Sequence, residues 1–522
     1  MNRIFGPPGT GKTTTLLNMV DKALESGVPP QEIAFLAFTR KAANEARERA
    51  AKRFDLNPKT DLFFFRTIHS LAFKLLNIDQ KNLMQPSHYD ELGQKIGFTL
   101  LKSQRQDFDE ITVAQADNPV LSIINLSKIK KTTLWHEYNN TNQKNEGYKW
   151  DEVDYIARSY EKYKTLHNLM DYTDMLVFLA KSITKVCPKF KLCFLDEAQD
   201  LSPLQWDIAY GLDKVSEEMH VAGDDDQAIY RWAGADPETF INLDCKAQVL
   251  DQSYRIPPPV HTLANRIIER ISTDGGQRFH KKYKPQDKPG QVTRIHGLWD
   301  EQIDFSANEW LIMAQANYML TDVAMQIKSL GYLYERNGVR SIASKLSNAV
   351  NSWEHIRTGG AITLESAKSM YHYMSGNGKR IARGGKQSLE GEMLTYDILK
   401  DKHGLLVPTD WIWSDALDKI PMKDRAYITA LLRRGDKFNG KPRINLSTFH
   451  GMKGGECENV IIFPDLTHAA VTNTVHIDDI HRVFYVAVTR TKTNLFIVEP
   501  EYYDRAYELP LHGLDQRIAC HA

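Results

Sequence analysis

The feature that most constrains this chain is a phosphate-binding loop near its N-terminus, spelled GPPGTGKT over residues 6–13. A short apolar strand enters the loop and a helical segment leaves it, which is the setting that this motif needs. Glycines let backbone N–H groups turn toward phosphate oxygens, and the helix N-terminus adds partial positive charge. The pattern therefore predicts that the chain binds a nucleoside triphosphate.

The residues of the loop have separate predicted roles. Lys12 is expected to reach the β- and γ-phosphates, and the Thr13 hydroxyl is expected to hold Mg²⁺. The full set predicted to contact the nucleotide is Gly6, Pro7, Pro8, Gly9, Thr10, Gly11, Lys12, Thr13 and Thr14. The same spelling is common in ring-forming ATPases, so the loop alone leaves the family open.

Length and composition set broad limits. A chain of 522 residues is expected to form about three or four compact units. Its 66 basic residues equal its 66 acidic ones, so net charge gives no support to nucleic-acid binding. Basic clusters such as residues 280–284 are expected to be solvated faces.

The same survey bears on location. No apolar stretch approaches the roughly twenty residues of a membrane helix, and the phosphate loop leaves no room for a cleavable signal. The 5 cysteines are scattered without metal-ligand spacing, which predicts reduced thiols in a cytoplasmic protein that does not contact a membrane.

An acidic motif follows a second strand. Residues 191–195 read as a buried strand that ends at Asp196 and Glu197. Strand ends that face a nucleotide are where an Mg²⁺-holding Asp and a water-activating Glu belong. This motif lies much farther from the phosphate loop than a compact ring ATPase would place it, so the ring ATPase is the disfavoured alternative.

A third strand, residues 219–222, leads into GDDDQAIYRWAGA over residues 223–235. Its three consecutive acids repel one another and are not expected to serve as a folding device. Gln227 is a neutral donor able to sense a γ-phosphate. Tyr230 and Trp232 have a spacing that suits stacking on unpaired bases, and a place in the core is the alternative for both.

Further segments complete an ordered series. They are residues 38–45, 66–70, 171–176, 250–255, 444–460 and 485–490. In this order the series resembles the motifs of the UvrD/Rep/PcrA branch of superfamily 1 helicases. The resemblance runs through nearly the whole series of family motifs, and the order of the motifs carries it.

The resemblance implies an α/β fold with two RecA-like P-loop motor domains, each interrupted by a mostly helical insertion. The first motor is expected at 1–80 and 186–256, with the first insertion at 81–185. The second motor is expected at 257–358 and 437–522, with a short second insertion at 359–436. Glycines and basic residues over 376–386 predict a flexible surface loop there, with a phosphate-contacting element as the alternative.

The resemblance also implies site residues. ATP and Mg²⁺ are expected between the motors, where Gln227 from the first motor meets Arg255 and Arg490 from the second at the γ-phosphate. Tyr254 is expected to stack on the base and Glu456 to accept the ribose hydroxyl. The residues expected to contact DNA are Thr39, Arg40, His69, Tyr230, Trp232, Thr448 and His450.

The activity implied is that of an ATP-dependent DNA helicase that moves 3′-to-5′ on single-stranded DNA. A translocase or nucleoprotein remodeller that does not separate strands is the alternative. Expected partners are single-stranded DNA, single/double-strand junctions and replication or repair proteins. We expect a monomer that works at the nucleoid, or in the host cytoplasm if the chain is viral.

Three departures from the family pattern are visible. The adenine-recognition element that normally precedes the phosphate loop has no room upstream of Arg3, which predicts weak discrimination between ATP and GTP. Ile68 stands where an aromatic residue is usual in a DNA motif. No clear counterpart of the hairpin that relatives use at the duplex junction follows Arg490.

Overall fold

A computed structural model describes residues 1–100, 118–140, 147–273, 277–376, 378–435, 438, 440–472 and 477–514. The chain forms two compact units. Unit 1 comprises Met1–Pro289 and Thr474–Thr489, and unit 2 comprises Gly290–Asn473 and Arg490–Ala522.

Unit 1 is built on a six-stranded sheet in which all neighbouring strands are parallel, in the order β3-β2-β4-β5-β1-β6. The strands are β1 (Asn2–Phe5), β2 (Ile33–Ala37), β3 (Phe65–Thr67), β4 (Phe190–Leu195), β5 (Ser216–Gly223) and β6 (Lys246–Val249). Their carboxyl ends lie at one edge of the sheet, which is where α/β proteins bind ligands.

Helices cover both faces of this sheet. Along the strands, alternate residues enter opposite cores: Phe5, Leu36, Leu195 and Val221 lie in one, and Ile4, Phe35, Phe194 and Ala222 lie in the other. Burial on both faces is typical of a parallel sheet. Apart from helices between 81 and 166, the helices of unit 1 are α1 (Lys12–Glu25), α2 (Arg40–Phe54), α3 (Ile68–Leu75), α8 (Tyr172–Val186), α9 (Pro203–Val215), α10 (Pro237–Ile241), α11 (Pro258–Ile268) and α19 (Ile477–Val488).

The first insertion is helical, as predicted. It contains α4 (Pro86–Ile96), α5 (Pro119–Ile129), α6 (Leu134–Asn140) and α7 (Trp150–Leu166). These helices share a core that includes Leu121, Ile124 and Ile156. Lys164, which is 3% exposed, donates to the Asp171 carboxylate at 2.7 Å. Asp171 also caps α8, so this ion pair fixes the helix that returns the chain to the sheet.

Unit 2 carries a seven-stranded sheet in the order β10-β9-β13-β8-β14-β15-β7. Only the β9–β10 pair is antiparallel among these named strands. The strands are β7 (Gln291–Ile295), β8 (Trp310–Ala314), β9 (Tyr334–Arg336), β10 (Val339–Arg340), β13 (Ile444–Thr448), β14 (Cys457–Ile462) and β15 (Thr491–Val498), with helices α12 (Met319–Ser329) and α18 (His468–Thr472). The two units are mixed α/β bodies with parallel sheets, of the RecA-like kind.

The second insertion has its own core, centred on Trp353, Met370 and Tyr371. Helix α13 (Ser344–Arg357) packs into this core although it precedes the predicted bounds of 359–436. Within those bounds lie β11 (Ala361–Thr363), α14 (Leu364–His372), β12 (Met393–Thr395), α15 (Tyr396–His403), α16 (Trp413–Ala416) and α17 (Met422–Arg433). The glycine-rich segment packs against this core: a Cβ added at Gly385 would lie 2.6 Å from the carbonyl oxygen of His403. The segment has an irregular backbone in which Ile381 and Gly385 are buried while Arg383 and Gly384 are exposed, and its flexibility stays a prediction.

The compact units differ from the predicted boundaries at two places. Residues 257–289, expected in the second motor, belong to unit 1, and so does α19. Helix α19 packs against α11 and against the turn at Asp225–Gln227. The division into four named domains stays a prediction.

Two further observations concern composition. Cys187, Cys193, Cys245 and Cys457 are free thiols, and Cys520 lies outside the described residues. Among the helices that the structure describes, we find none with the length and apolar character needed to cross a membrane.

Candidate nucleotide and DNA sites

The phosphate loop joins β1 to α1 and is held by its own side chains. Gly9 and Gly11 have φ values of +74° and +80°, a left-handed conformation that favours glycine. The Thr10 hydroxyl donates to the Pro7 carbonyl at 2.8 Å, and Lys12 Nζ donates to the Gly6 carbonyl at 2.8 Å. The Lys12 ammonium therefore already lies over the loop, where a phosphate would take the place of the carbonyl contact.

Residues 253–255 lie directly on this loop. The Ser253 hydroxyl donates to the Pro8 carbonyl at 2.8 Å, and the Tyr254 N–H donates to the Gly9 carbonyl at 2.9 Å. A Cβ added at Gly9 would lie 2.4 Å from the Cβ of Arg255, so glycine is needed for this approach. Arg255 thus belongs to the compact unit that holds the phosphate loop, and its assignment to a motor stays a prediction.

Tyr254 is the exposed member of this segment. Its side chain is 75% exposed, while its backbone is fixed to the phosphate loop. A ring with an open face beside a phosphate site can stack on a base. The structure therefore leaves the predicted stacking role of Tyr254 available.

The two residues predicted to hold Mg²⁺ are in contact. The Thr13 hydroxyl donates to Asp196 Oδ2 at 2.6 Å. Burial, together with the neighbouring Glu197 carboxylate, raises the pKa of Asp196 to about 6, against the opposing effects of Thr13 and Lys12. The Thr13 hydroxyl and the buried Asp196 carboxylate are oxygen ligands that fit Mg²⁺. Proteins bind this ion through one or two carboxylates and the nucleotide phosphates.

Glu197 has an unusual backbone. Its φ of 56° places a non-glycine residue in the left-handed region at the end of β4. Such conformations are costly and cluster at functional sites. Its N–H donates to Asp196 Oδ1 at 2.9 Å, so the two acids of the motif are held in different orientations.

The acidic loop after β5 is a folding device, contrary to the sequence prediction. Asp224, Asp225 and Asp226 are buried, and each contacts Lys281 Nζ. Arg278 also donates to Asp226 at 2.7 Å. Three buried carboxylates near one another are tolerable only because these cations lie among them.

Lys281 and Arg278 were not predicted to lie in a site. The cluster at 280–284 was expected to be a solvated face, but Lys281 is only 7% exposed. Arg482 of α19 joins the same loop, donating to the carbonyl oxygens of Asp225 at 3.1 Å and Gln277 at 2.7 Å. No local sequence signal separates these buried cations from exposed ones, since their partners are distant in the chain.

Lys281→Met should destabilise the protein strongly. It leaves three buried acids with too little positive charge, and breaking a buried pair typically costs about 3–5 kcal/mol. Chemical denaturation should show the loss in the free energy of unfolding. Lys441→Met is the matched control, because Lys441 pairs with Glu309 on the surface and should leave the unfolding free energy almost unchanged. Equal effects from the two substitutions would contradict the structural role of Lys281.

Several residues predicted to contact DNA follow the neighbouring strands β2 and β3. Thr39 and Arg40 are exposed after β2, and His69 lies in α3 after β3. The Thr39 hydroxyl also caps α2, accepting from the Ala42 N–H at 3.2 Å. Ile68 is buried in the core at 2% exposure, which explains why an aliphatic side chain suits that position.

Tyr230 and Trp232 differ in exposure. Tyr230 is 4% exposed and stacks on Phe38 with ring centroids 5.6 Å apart. Trp232 is 41% exposed and meets Tyr230 edge-on at 6.3 Å. The structure therefore places Tyr230 in the core, in agreement with the alternative interpretation, and leaves Trp232 as the ring that a base can reach.

Trp232→Ala should weaken binding of single-stranded DNA by about 1–3 kcal/mol, the usual cost of losing one stacked base. Tyr230→Ala should instead lower the free energy of unfolding by about 3–5 kcal/mol, as for other buried rings. Fluorescence anisotropy with an oligonucleotide and thermal melting separate the two effects. Unchanged DNA affinity in a stable Trp232→Ala protein would remove Trp232 from the interface.

Unit 2 carries the remaining predicted residues. Arg490 is 2% exposed, and its guanidinium donates to the Gly455 carbonyl at 3.2 Å. Glu456, the next residue, is exposed and pairs with Lys492 at 2.5 Å. Thr448 ends β13 and accepts from the Gly451 N–H at 3.1 Å, with His450 in the same turn. The roles of these four residues stay predictions.

Two protein-family models match this chain. A family model described as the UvrD/REP helicase N-terminal domain matches residues 2–248, and one described as the UvrD-like helicase C-terminal domain matches residues 423–502. The chain belongs to the UvrD/REP helicase family.

Individual relatives are distant. The chain is 26% identical to ATP-dependent DNA helicase PcrA of Bacillus subtilis over 51% of this chain and 37% of the relative. It is 24% identical to ATP-dependent DNA helicase Rep of Buchnera aphidicola over 56% and 46%. A Mycoplasma genitalium protein named "Probable DNA helicase II homolog" is 23% identical over 95% and 82%. The chain thus spans less than half the length of the first two.

Proposed function

We propose that this protein is an ATP-dependent DNA helicase that moves along single-stranded DNA in the 3′-to-5′ direction. One observation carries the proposal: a single sheet edge in unit 1 gathers the phosphate loop, Asp196, Glu197 and Gln227. Residues suited to DNA contact follow β2, β3 and β5 at the same edge. Membership of the UvrD/REP helicase family supports the assignment.

The proposed chemistry is phosphoryl transfer from ATP to water. Lys12 binds the phosphates, and Thr13 and Asp196 would hold Mg²⁺, which when bound neutralises charge on the phosphates. Glu197 orients the attacking water and accepts its proton. Gln227 donates to the γ-phosphate, and Arg255 beside the loop supplies positive charge. The contribution expected of Arg490 rests on the family resemblance.

The loop after β5 gives a physical route from ATP to DNA. It carries Gln227 at one end and Trp232 shortly after, joined by the 3₁₀ turns Asp225–Gln227 and Arg231–Ala233. A change at the γ-phosphate that moves Gln227 therefore acts on the segment that presents the exposed ring. We propose that this segment couples hydrolysis to the grip on single-stranded DNA.

Lys12→Ala and Glu197→Gln should both abolish hydrolysis, but only Lys12→Ala should weaken ATP binding. Lys12 supplies charge to the bound phosphates, whereas Glu197 acts on the attacking water. Turnover and the Kd of a fluorescent ATP analogue should be measured for both proteins. Near-normal turnover by Glu197→Gln would remove Glu197 from its assigned role.

The decisive assay is ATP hydrolysis with and without single-stranded DNA, followed by strand release from a fork with a 3′ tail. DNA-stimulated hydrolysis with strand release supports the helicase. Displacement of streptavidin from a 3′-to-5′ track without strand release would indicate a translocase instead. Hydrolysis that is indifferent to DNA would contradict both functions.

A further inference from the structure

A chain of hydrogen bonds links Glu197 to Gln227 inside unit 1. The side-chain amide of Gln199 donates from Nε2 to Glu197 Oε2 at 2.6 Å. Its Oε1 accepts from the Asp224 N–H at 2.9 Å. The Asp224 carboxylate in turn accepts from Gln227 Nε2 at 2.7 Å. The residue expected to activate water and the residue expected to sense the γ-phosphate are thus joined through two intermediates.

The intermediates are fully buried. Gln199 and Asp224 are each 0% exposed, so water does not replace a contact that is lost there. A Cβ added at Gly223 would lie 2.6 Å from Gln199 Oε1 and 3.2 Å from the backbone nitrogen of Gln199. Glycine at the end of β5 is what lets the Gln199 amide reach the loop.

The amide of Gln199 satisfies both of its neighbours. Glu197 offers an acceptor oxygen, and Asp224 offers a donor N–H, so the side chain between them must donate on one side and accept on the other. Nε2 of Gln199 also donates to Asp200 at 3.0 Å. The Gln199 side chain therefore ties the end of β4 to the end of β5 in one orientation.

Lys281 fixes the far end of this chain. Its ammonium lies 3.3 Å from Asp224 Oδ1. The other carboxylate oxygen, Oδ2, accepts the hydrogen bond from Gln227 Nε2. A carboxylate held on one side by a buried cation has little freedom to rotate. Gln227 and Gln199 therefore bind one fixed residue, Gln227 through the Asp224 carboxylate and Gln199 through the Asp224 N–H.

We propose that Gln199 is a positioning residue for ATP hydrolysis, which couples the orientation of Glu197 to the position of Gln227. This inference rests on the proposed function, because it takes the roles of Glu197 and Gln227 from it. In this arrangement Gln227 meets the γ-phosphate, and Gln199 holds the Glu197 carboxylate toward the attacking water. Binding of ATP and activation of water are thereby linked within one unit of the chain.

The first test compares Gln199→Met with Gln205→Met. Both glutamines are buried, but Gln205 only caps α9 through Ser202. Gln199→Met should lower kcat about 10- to 100-fold, the scale of losing alignment at a reacting group, with little change in KM for ATP. Gln205→Met should lower the melting temperature while leaving kcat per folded molecule intact. A normal kcat in Gln199→Met, or a loss that only follows unfolding as in the control, overturns the proposal.

Gln199→Glu is a second variant, which keeps the size of the side chain and the acceptor for the Asp224 N–H but removes the donor to Glu197. It should lower kcat per folded molecule with little change in KM for ATP, because the Glu197 carboxylate loses the partner that orients it. A wild-type kcat for folded Gln199→Glu overturns the proposal even if Gln199→Met proves too unstable to measure.

A double-mutant cycle with Gln227→Ala completes the test. If Gln199 acts through Gln227, the loss of kcat in the double variant should be smaller than the product of the two single losses. Losses that multiply show independent action and overturn the coupling. Glu197→Gln is measured in parallel. Normal ATP hydrolysis by Glu197→Gln contradicts the proposed function. If Glu197→Gln is inactive but Gln199→Met hydrolyses ATP at the wild-type rate, only the coupling through Gln199 is contradicted.

Discussion

The arrangement of unit 1 depends on parallel hydrogen bonding between strands that are far apart in the chain. Strand β1 pairs with β5 on one side and β6 on the other, and β4 pairs with β5. Because all carboxyl ends lie at one edge, the loops after these strands are brought together whatever lies between them in sequence. The Thr13–Asp196 hydrogen bond joins residues 183 positions apart, across an insertion with a separate core. The parallel pairing therefore brings Thr13 and Asp196 together although a whole insertion lies between them in the sequence.

Charge sets a second requirement at this edge. Burial of the three acids after β5 carries a large desolvation cost, which Lys281 and Arg278 offset. The arrangement gives the loop a fixed shape, since each carboxylate has a defined partner. The shape of this loop determines the positions of Gln227 and of the exposed Trp232 ring. The buried ion pairs of Lys281 and Arg278 thus fix the loop that carries Gln227 and Trp232, the residues proposed to contact ATP and DNA.

Local patterns predicted the parts of the site that are local in sequence. The phosphate loop, the acidic pair after β4 and the helical first insertion all carry signals within a few residues of one another. Tyr230 and Trp232 look alike in sequence, and only the packing of Tyr230 on Phe38 separates core from surface. Lys281 looked like its solvated neighbours, because its partners lie more than fifty positions away. The sequence did not indicate a role for Gln199 for a similar reason. A single glutamine forms no pattern, and its partner at the end of β5, the Asp224 N–H, lies 25 positions away. Motif order also does not show where a compact unit ends, since residues 257–289 belong to unit 1, beyond the boundary predicted at 256.

The position of α19 in the chain has a consequence for how the protein is made. Arg482 Nε and the Asp225 carbonyl are separated by 257 residues, and ribosomes add roughly 5–20 residues per second. Once Asp225 has been synthesised, roughly tens of seconds pass before α19, which packs against it, is synthesised. During that interval the apolar side of α11, which α19 covers in the finished protein, is open to solvent and to other chains. A chain whose translation stops before α19 would lack the helix that packs on α11 and on the Asp225–Gln227 turn.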